Sequence, residues 1–184
     1  MLNTLEIFTS VFDRLNEWIG RIVAWLTLLM VLLTFAIVVA RYGFNSGWIA
    51  VQESVIYMHS LVFLLGAAYT MRHQGHVRVD IFYREISPIR RAWVDLLGTI
   101  FLLLPMFVFI FWSSWEYVGA AWELKESSRE AGGLPWVYLL KSSLLVMGAL
   151  VVLQGLYDIV RALLIISGRR DYASLHQNEE GPMA

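Results

Sequence analysis

The sequence predicts an all-α membrane protein with four transmembrane helices, because four long apolar stretches fill most of its 184 residues. Hydrophobic residues make up 58% of the chain and charged residues only 16%, whereas an ordinary soluble domain is about a quarter charged. About 20 apolar residues suffice to cross a bilayer core as a helix. We expect a single transmembrane domain over residues 1–166 and a polar, disordered tail over residues 167–184.

Hydropathy places the four spans at about residues 20–41, 52–71, 94–116 and 134–160. The segments 22–40 and 96–115 contain no ionisable side chain and are the clearest membrane helices. The apolar part of the second span carries only His59, and that of the fourth carries only Lys141. Each span therefore has a nearly uncharged interior.

The N-terminal segment has apolar residues at steps of three and four, opposite Asp13, Arg14 and Glu17. These apolar residues are Leu5, Phe8, Phe12, Leu15 and Ile19. The pattern predicts an amphipathic helix lying in the membrane interface, and a simple continuation of the first span explains it equally well.

The connector between spans two and three, HVRVDIFYREISPIRRAW, alternates apolar and charged residues. Its apolar positions are Val77, Val79, Ile81, Phe82, Ile86 and Ile89. We expect a short interfacial element that ends near Pro88, with its arginines facing the head groups of membrane lipids. The alternative is that these arginines are there only because cytoplasmic connectors are generally rich in basic residues.

Basic residues favour one orientation in the membrane. Ten flank the two ends of the chain and the middle connector, namely Arg14, Arg21, Arg72, Arg78, Arg84, Arg90, Arg91, Arg161, Arg169 and Arg170. Only Arg41, Lys125 and Arg129 lie in the other two connectors. Because basic residues are enriched on the cytoplasmic side, we expect both termini to be cytoplasmic in a multi-pass inner-membrane protein.

The residue inventory argues against several chemistries. A haem-binding bundle needs axial ligands on facing helices, but His59 is the one histidine inside a span. Proton relays need a carboxylate deep in the membrane, whereas Glu53, Asp95, Glu116 and Asp158 all lie at span ends. The sequence also lacks cysteine and nucleotide-binding motifs, and its net charge is -1. We expect no enzyme activity, cofactor, metal site or nucleic-acid partner.

Lys141 is the exception among the spans. It lies six residues after Pro135, or about 9 Å below the expected start of the fourth helix. Its long side chain could simply extend to the outer interface. Alternatively, it pairs with Glu53 or Glu116, both expected at the same level, because an unpaired charge in lipid is costly.

The run from Arg41 to Asp80, RYGFNSGWIAVQESVIYMHSLVFLLGAAYTMRHQGHVRVD, resembles the small (DctQ-like) membrane subunit of tripartite ATP-independent periplasmic (TRAP) transporters. The matching features are an Arg-Tyr pair, Asn and Trp closing helix one, a Glu opening helix two, a Phe-Leu-Gly-Ala-Ala stretch, and then Arg, Gly-His, Val and Asp. With the four-span layout and a Trp-Glu-Leu stretch before helix four, the resemblance covers about residues 20–165.

This resemblance implies a scaffold for a large membrane subunit that holds the substrate and sodium sites. A periplasmic substrate-binding protein would deliver an organic acid to that subunit. Helix faces that brace a partner need small residues, and the candidates for close packing are Gly66, Ala67, Ala68, Gly148 and Ala149.

Site residues are carried over by matching position. The resemblance implies that Arg41, Glu53, Gly66, His76 and Asp80 fix connectors or the inter-subunit face, although ordinary capping and packing would explain each of them. The third connector could contact the binding protein through Glu123, Lys125, Glu126, Arg129 and Glu130, or be an ordinary solvated loop.

Two other functions are consistent with the residues alone. One is a stand-alone four-helix transporter, and the other is a structural subunit of another membrane complex. Within the TRAP family, the segment GGLPWVYLLKSSLLVMGALVVLQGL resembles the corresponding segment of small subunits associated with 2-oxoacids and related carboxylates. The expected substrate is thus a dicarboxylate, a 2-oxoacid or another carboxylate.

Overall fold

The structure is a computed structural model that describes residues 2–72 and 87–168. Within these ranges four helices are long and apolar enough to cross a membrane, which confirms the predicted all-α membrane fold. We number them α1 to α4 in chain order. They span Leu2–Phe44, Ile49–Arg72, Pro88–Glu123 and Val137–Ile166.

Helix α1 continues without interruption from Leu2 to Phe44, and its membrane-length part is Glu17–Phe44. The backbone agrees with a continuation of the first span, not with a separate interfacial helix before it. Asn45 follows in the left-handed conformation, with φ of 50°, and ends the helix. The N–H of Ser46 donates to the carbonyl of Ala40 at 3.0 Å, so this short connector also caps α1.

Helix α3 is longer than the predicted span at both ends. It begins at Pro88, a residue favoured in the first turn because its missing N–H needs no partner there. It continues through the Trp-Glu-Leu stretch as far as Glu123. The expected interfacial element before Pro88 lies mostly outside the described residues, as does the tail from residue 169.

A π-helical turn over Thr99–Leu103 interrupts α3, and the N–H of Leu104 donates to the carbonyl of Thr99. Pro105 follows directly and has no N–H of its own, so the regular ladder of hydrogen bonds cannot continue there. Gly155 of α4 faces this turn, and an ideal Cβ on Gly155 would lie 2.8 Å from Cδ2 of Leu103. The altered turn therefore packs closely on a glycine.

Helix α4 is the centre of the bundle. It packs against both α2 and α3, while α1 packs mainly on α2. The buried core cluster joins Ala68 of α2 to Leu150 and Val151 of α4. Phe111 of α3 lies beside Gly148, with 3.3 Å between its Cβ and an ideal Cβ on that glycine. Several small residues predicted to brace a partner thus serve packing within this chain.

Candidate functional site

A network of polar contacts lies at the end of the bundle that carries the α1–α2 and α3–α4 connectors, which we call the connector end. Glu53 lies near the start of α2, and its carboxylate accepts hydrogen bonds from the Ser128 hydroxyl and from the Leu134 N–H, the latter at 2.6 Å. The N–H of Ser128 also donates to the Leu134 carbonyl at 2.9 Å. One carboxylate therefore ties the folded α3–α4 connector to α2.

Gly133 completes this contact because a side chain does not fit there. An ideal Cβ on Gly133 would lie 2.4 Å from Oγ of Ser128 and 2.8 Å from Oε2 of Glu53. Real Cβ atoms essentially never approach so closely. The neighbouring Gly132 adopts a positive φ of 81°, a conformation that glycine takes without strain. The Gly-Gly pair thus lets the connector fold back onto α2.

Lys141 forms an ion pair with Glu126 of the connector. Its ammonium group also lies 4.0 Å from the centre of the Tyr117 ring on α3. The Lys141 side chain is only 15% exposed, so it is held inside this contact and does not extend freely to the interface. These three groups join α3, the connector and α4.

The hypothesis that Lys141 pairs with Glu53 or Glu116 is wrong, because its partner is Glu126. Two structural details explain the difference. Helix α4 begins at Val137, later than predicted, and the N–H of Tyr138 in its first turn donates to the Glu126 carbonyl at 3.3 Å. This bond brings Glu126 beside α4, while Glu53 is already occupied by the connector.

A second basic residue of the connector rests on aromatic rings. The ammonium group of Lys125 lies 4.5 Å from the Trp122 ring centre and 5.0 Å from that of Tyr138. The two rings meet edge to face at 4.8 Å, and the Trp122 indole N–H donates to the Ser142 hydroxyl at 2.8 Å. Cation–π contacts of this kind hold the first residues after α3 against α4.

The other residues singled out from the sequence are more dispersed. Arg41 is exposed near the end of α1, and an ideal Cβ on Gly66 would lie 3.7 Å from a methyl group of Val23. Within the connector end, Glu123, Arg129 and Glu130 have exposed side chains, whereas Lys125 and Glu126 are engaged as described. His76 and Asp80 lie outside the described residues.

The polar contacts that depend on the fold could not be predicted from the sequence. Ser128, Gly133 and Leu134 gave no separate signal beyond a Gly-Gly pair within a polar connector. Gln154 was also missed, although it is 1% exposed in the middle of α4. Its side-chain amide donates to a carboxylate oxygen of Asp158 at 3.1 Å, which satisfies one donor of a buried polar group.

Chemically, the contacts described at the connector end are structural, because each joins groups of this chain to one another. The acids and bases at its centre are saturated by contacts within the chain. Across residues 2–72 and 87–168, no group of three or more metal-binding side chains comes together. The arrangement joins α2, α3 and α4 at one end of the bundle.

Comparison with known proteins gives a family match. The family model described as tripartite ATP-independent periplasmic transporters, DctQ component, matches residues 30–164, which run from within α1 to within α4. No solved structure matches the chain.

Two curated relatives agree with this match. A C4-dicarboxylate TRAP transporter small permease protein DctQ from Vibrio cholerae is 29% identical over 59% of this chain. A protein of Haemophilus influenzae, named provisionally as a TRAP transporter small permease, is 30% identical over 45% of it. The alignments cover 48% and 51% of these relatives, so the chain spans about half the length of each.

Proposed function

The chain belongs to the DctQ component family of tripartite ATP-independent periplasmic transporters, and from this premise we propose that it scaffolds a large membrane subunit during sodium-coupled uptake of an organic acid. A periplasmic binding protein would deliver the substrate. The family consists of transporter subunits and not of enzymes. The observation that carries the proposal is the family match over residues 30–164.

The distribution of polar groups supports a bracing role. Transport sites for ions require polar or charged groups near the middle of the membrane. The Lys141–Glu126 ion pair and the Glu53 carboxylate contact lie at the connector end, where they join helices of this chain to one another. A bundle whose described helices expose many large apolar side chains suits a subunit that supports a partner carrying the transport sites.

We also propose that the connector end faces the periplasm. The support is the asymmetry in basic residues, with ten beside the chain ends and the middle connector against three in the other two connectors. In this orientation the exposed side chains of Glu123, Arg129 and Glu130 are available to a docked binding protein. Glu126 and Lys125 would act indirectly, by fixing the conformation of the connector.

The proposed substrate class is a small carboxylate. The Vibrio cholerae relative is named for C4-dicarboxylates, and the sequence from Gly132 onwards is similar to members associated with 2-oxoacids. Competition of C4-dicarboxylates and 2-oxoacids against labelled substrate, in the complete transporter, would distinguish these two classes.

Co-purification tests the scaffolding role. The chain, tagged at its C-terminus, is co-expressed with the large TRAP subunit of the same organism and purified in mild detergent. We expect a stable complex, and the tagged chain alone in vesicles should take up no organic acid. Uptake by the chain alone would instead establish a stand-alone transporter, and absence of a complex would favour a subunit of another assembly.

A further inference from the structure

An open apolar groove of about 300 Å³ lies between α1 and α2, in the half of the bundle nearer the connector end. It is lined by Met30, Val31 and Thr34 of α1 and by Val55 of α2. The Thr34 hydroxyl donates to the carbonyl of Met30 at 2.7 Å, so its polar group is already satisfied by the helix. The groove therefore offers an apolar surface to whatever occupies it.

Arg41 lies above this groove on the same side of α1. It follows Thr34 by seven residues, which is nearly two full helical turns, or about 10 Å along the axis. The Arg41 side chain is exposed and forms no ion pair with any residue that the structure describes. A cation without a counter-ion among the described residues thus lies about two turns beyond an apolar groove on the same side of α1, with its Nε 3.9 Å from an ideal Cβ on Gly47 in the α1–α2 connector.

Exposed aromatic residues indicate the depth of this cation in the membrane. Tyr42 is 84% exposed and Trp48 is 61% exposed, and both lie beside Arg41 in the sequence at the end of α1 and in the connector. Such amphipathic rings prefer the level of the lipid head groups. Arg41 is therefore at head-group level, while Thr34 and Val55 lie at the level of the acyl chains.

We propose that this groove is a phospholipid site, in which an acyl chain lies against Met30, Val31, Thr34 and Val55 while the lipid phosphate binds the Arg41 guanidinium. A guanidinium matches the oxygens of a phosphate with two parallel hydrogen bonds. The apolar lining and the cation have the spacing of a lipid tail and its head group. An anionic phospholipid such as phosphatidylglycerol also carries a net negative charge, which would serve as the counter-ion of Arg41.

A transmembrane helix of a partner is the competing occupant. It would fill the groove with side chains and would satisfy Arg41 only if it also placed a carboxylate at that level, whereas a phospholipid carries the apolar and the anionic group in one molecule. The site depends only on the placement of the bundle in a membrane and not on the proposed transport role. Failure of either proposal would therefore leave the other intact.

Native mass spectrometry of the delipidated full chain, titrated with phosphatidylglycerol, tests the site. Arg41→Gln should weaken phosphatidylglycerol binding about fivefold, the effect of one basic residue at a lipid surface. Binding of diacylglycerol, which lacks the phosphate, should not change, and inorganic phosphate alone should give no retained adduct. Arg21→Gln removes the same charge from the opposite end of the membrane-length part of α1, where Arg21 lies 3.6 Å from Glu17, and should have no effect on phosphatidylglycerol binding.

Thr34→Phe should fill the groove and weaken the binding of both phosphatidylglycerol and diacylglycerol. Ser113→Phe is the matched control, because Ser113 of α3 is likewise exposed and bonded to its own helix, at 3.2 Å from the Ile110 carbonyl, and lies on a helix that does not line the groove. Thermal unfolding of each variant confirms that it folds. Equal affinities for Arg41→Gln and Arg21→Gln, or unchanged binding by Thr34→Phe, would overturn the proposal.

A photoactivatable phosphatidylglycerol with its reactive group on an acyl chain provides a second measurement. It should label the peptides that contain Met30 to Thr34 or Val55. Labelling confined to other helices, or its loss on co-expression of the large subunit, would show that a lipid is not the resident of this groove.

Discussion

The Glu53 carboxylate of α2 accepts a hydrogen bond from the backbone N–H of Leu134, a residue 81 positions further along the chain. The same carboxylate accepts the Ser128 hydroxyl, so a single side chain receives both donors from the folded α3–α4 connector. The resemblance had implied that Glu53 fixes a connector or an inter-subunit face. Its contacts within the chain are those of a residue that fixes a connector.

Replacing Glu53 by glutamine should destabilise the bundle. The neutral amide keeps one acceptor oxygen but loses the charge, and its NH₂ group cannot accept the second donor. Hydrogen bonds to charged groups are worth about 1.5–3 kcal/mol, so we expect a fall of several degrees in the melting temperature in detergent. Glu116→Gln alters an exposed carboxylate of α3 and is the matched control. Equal melting temperatures for the two variants would contradict the role given to Glu53.

Gly133→Ala tests the close approach of the connector to α2. The new Cβ would overlap Ser128 and Glu53, so the connector must move and the hydrogen bonds to Glu53 must weaken. We expect a loss of about 1–3 kcal/mol, the cost of a strained site with polar groups left partly unsatisfied. Gly119→Ala places the same methyl group in open space on α3, and it should leave the melting temperature unchanged or slightly raised.

Charge exchange tests the Lys141–Glu126 ion pair. Lys141→Glu places two acids together beside Tyr117, and should cost between the 1 kcal/mol or so of an exposed pair and the 3–5 kcal/mol or so of a buried one. Adding Glu126→Lys should restore part of the folded yield and of the melting temperature. Adding Glu116→Lys or Glu53→Lys to Lys141→Glu should not restore the melting temperature. If either one did, Lys141 would pair with that acid, as the sequence predicted, and not with Glu126.

Hydropathy predicts the four helices of this chain well, because an apolar stretch of membrane length has few alternatives to a helix. The residues at which these helices begin and end are less predictable, since they depend on local and tertiary hydrogen bonds. Helix α3 continues to Glu123 through a stretch that looked like a connector, and α4 begins only at Val137. The residues between them form a folded loop bound to Glu53.

The contacts of the connector end could not be derived from spacing alone. The sequence offered Glu53 and Glu116 as counter-ions for Lys141, whereas Glu126 was assigned to the connector as a possible contact for the binding protein. The choice of Glu126 depends on how the connector folds back, which in turn depends on Gly133 and on the bonds to Glu53. Such coupling between distant residues has no signature in one sequence.

Single cysteines can test the proposed orientation, since the chain contains no cysteine of its own. Ser127→Cys lies exposed in the α3–α4 connector, and Ser167→Cys lies exposed just after α4. In intact spheroplasts a membrane-impermeant maleimide should label the first and spare the second. A permeant maleimide should label both. The reverse pattern with the impermeant reagent would place both termini in the periplasm.

Uptake by proteoliposomes tests the central claim most directly, namely that this chain supports transport but does not perform it. The large subunit should be reconstituted with and without this chain, and labelled carboxylate supplied together with its binding protein under an inward sodium gradient. We predict uptake only when the large subunit, this chain and the binding protein are all present, and its loss when the gradient is abolished. Equal uptake without this chain, or uptake by this chain alone, would contradict the account.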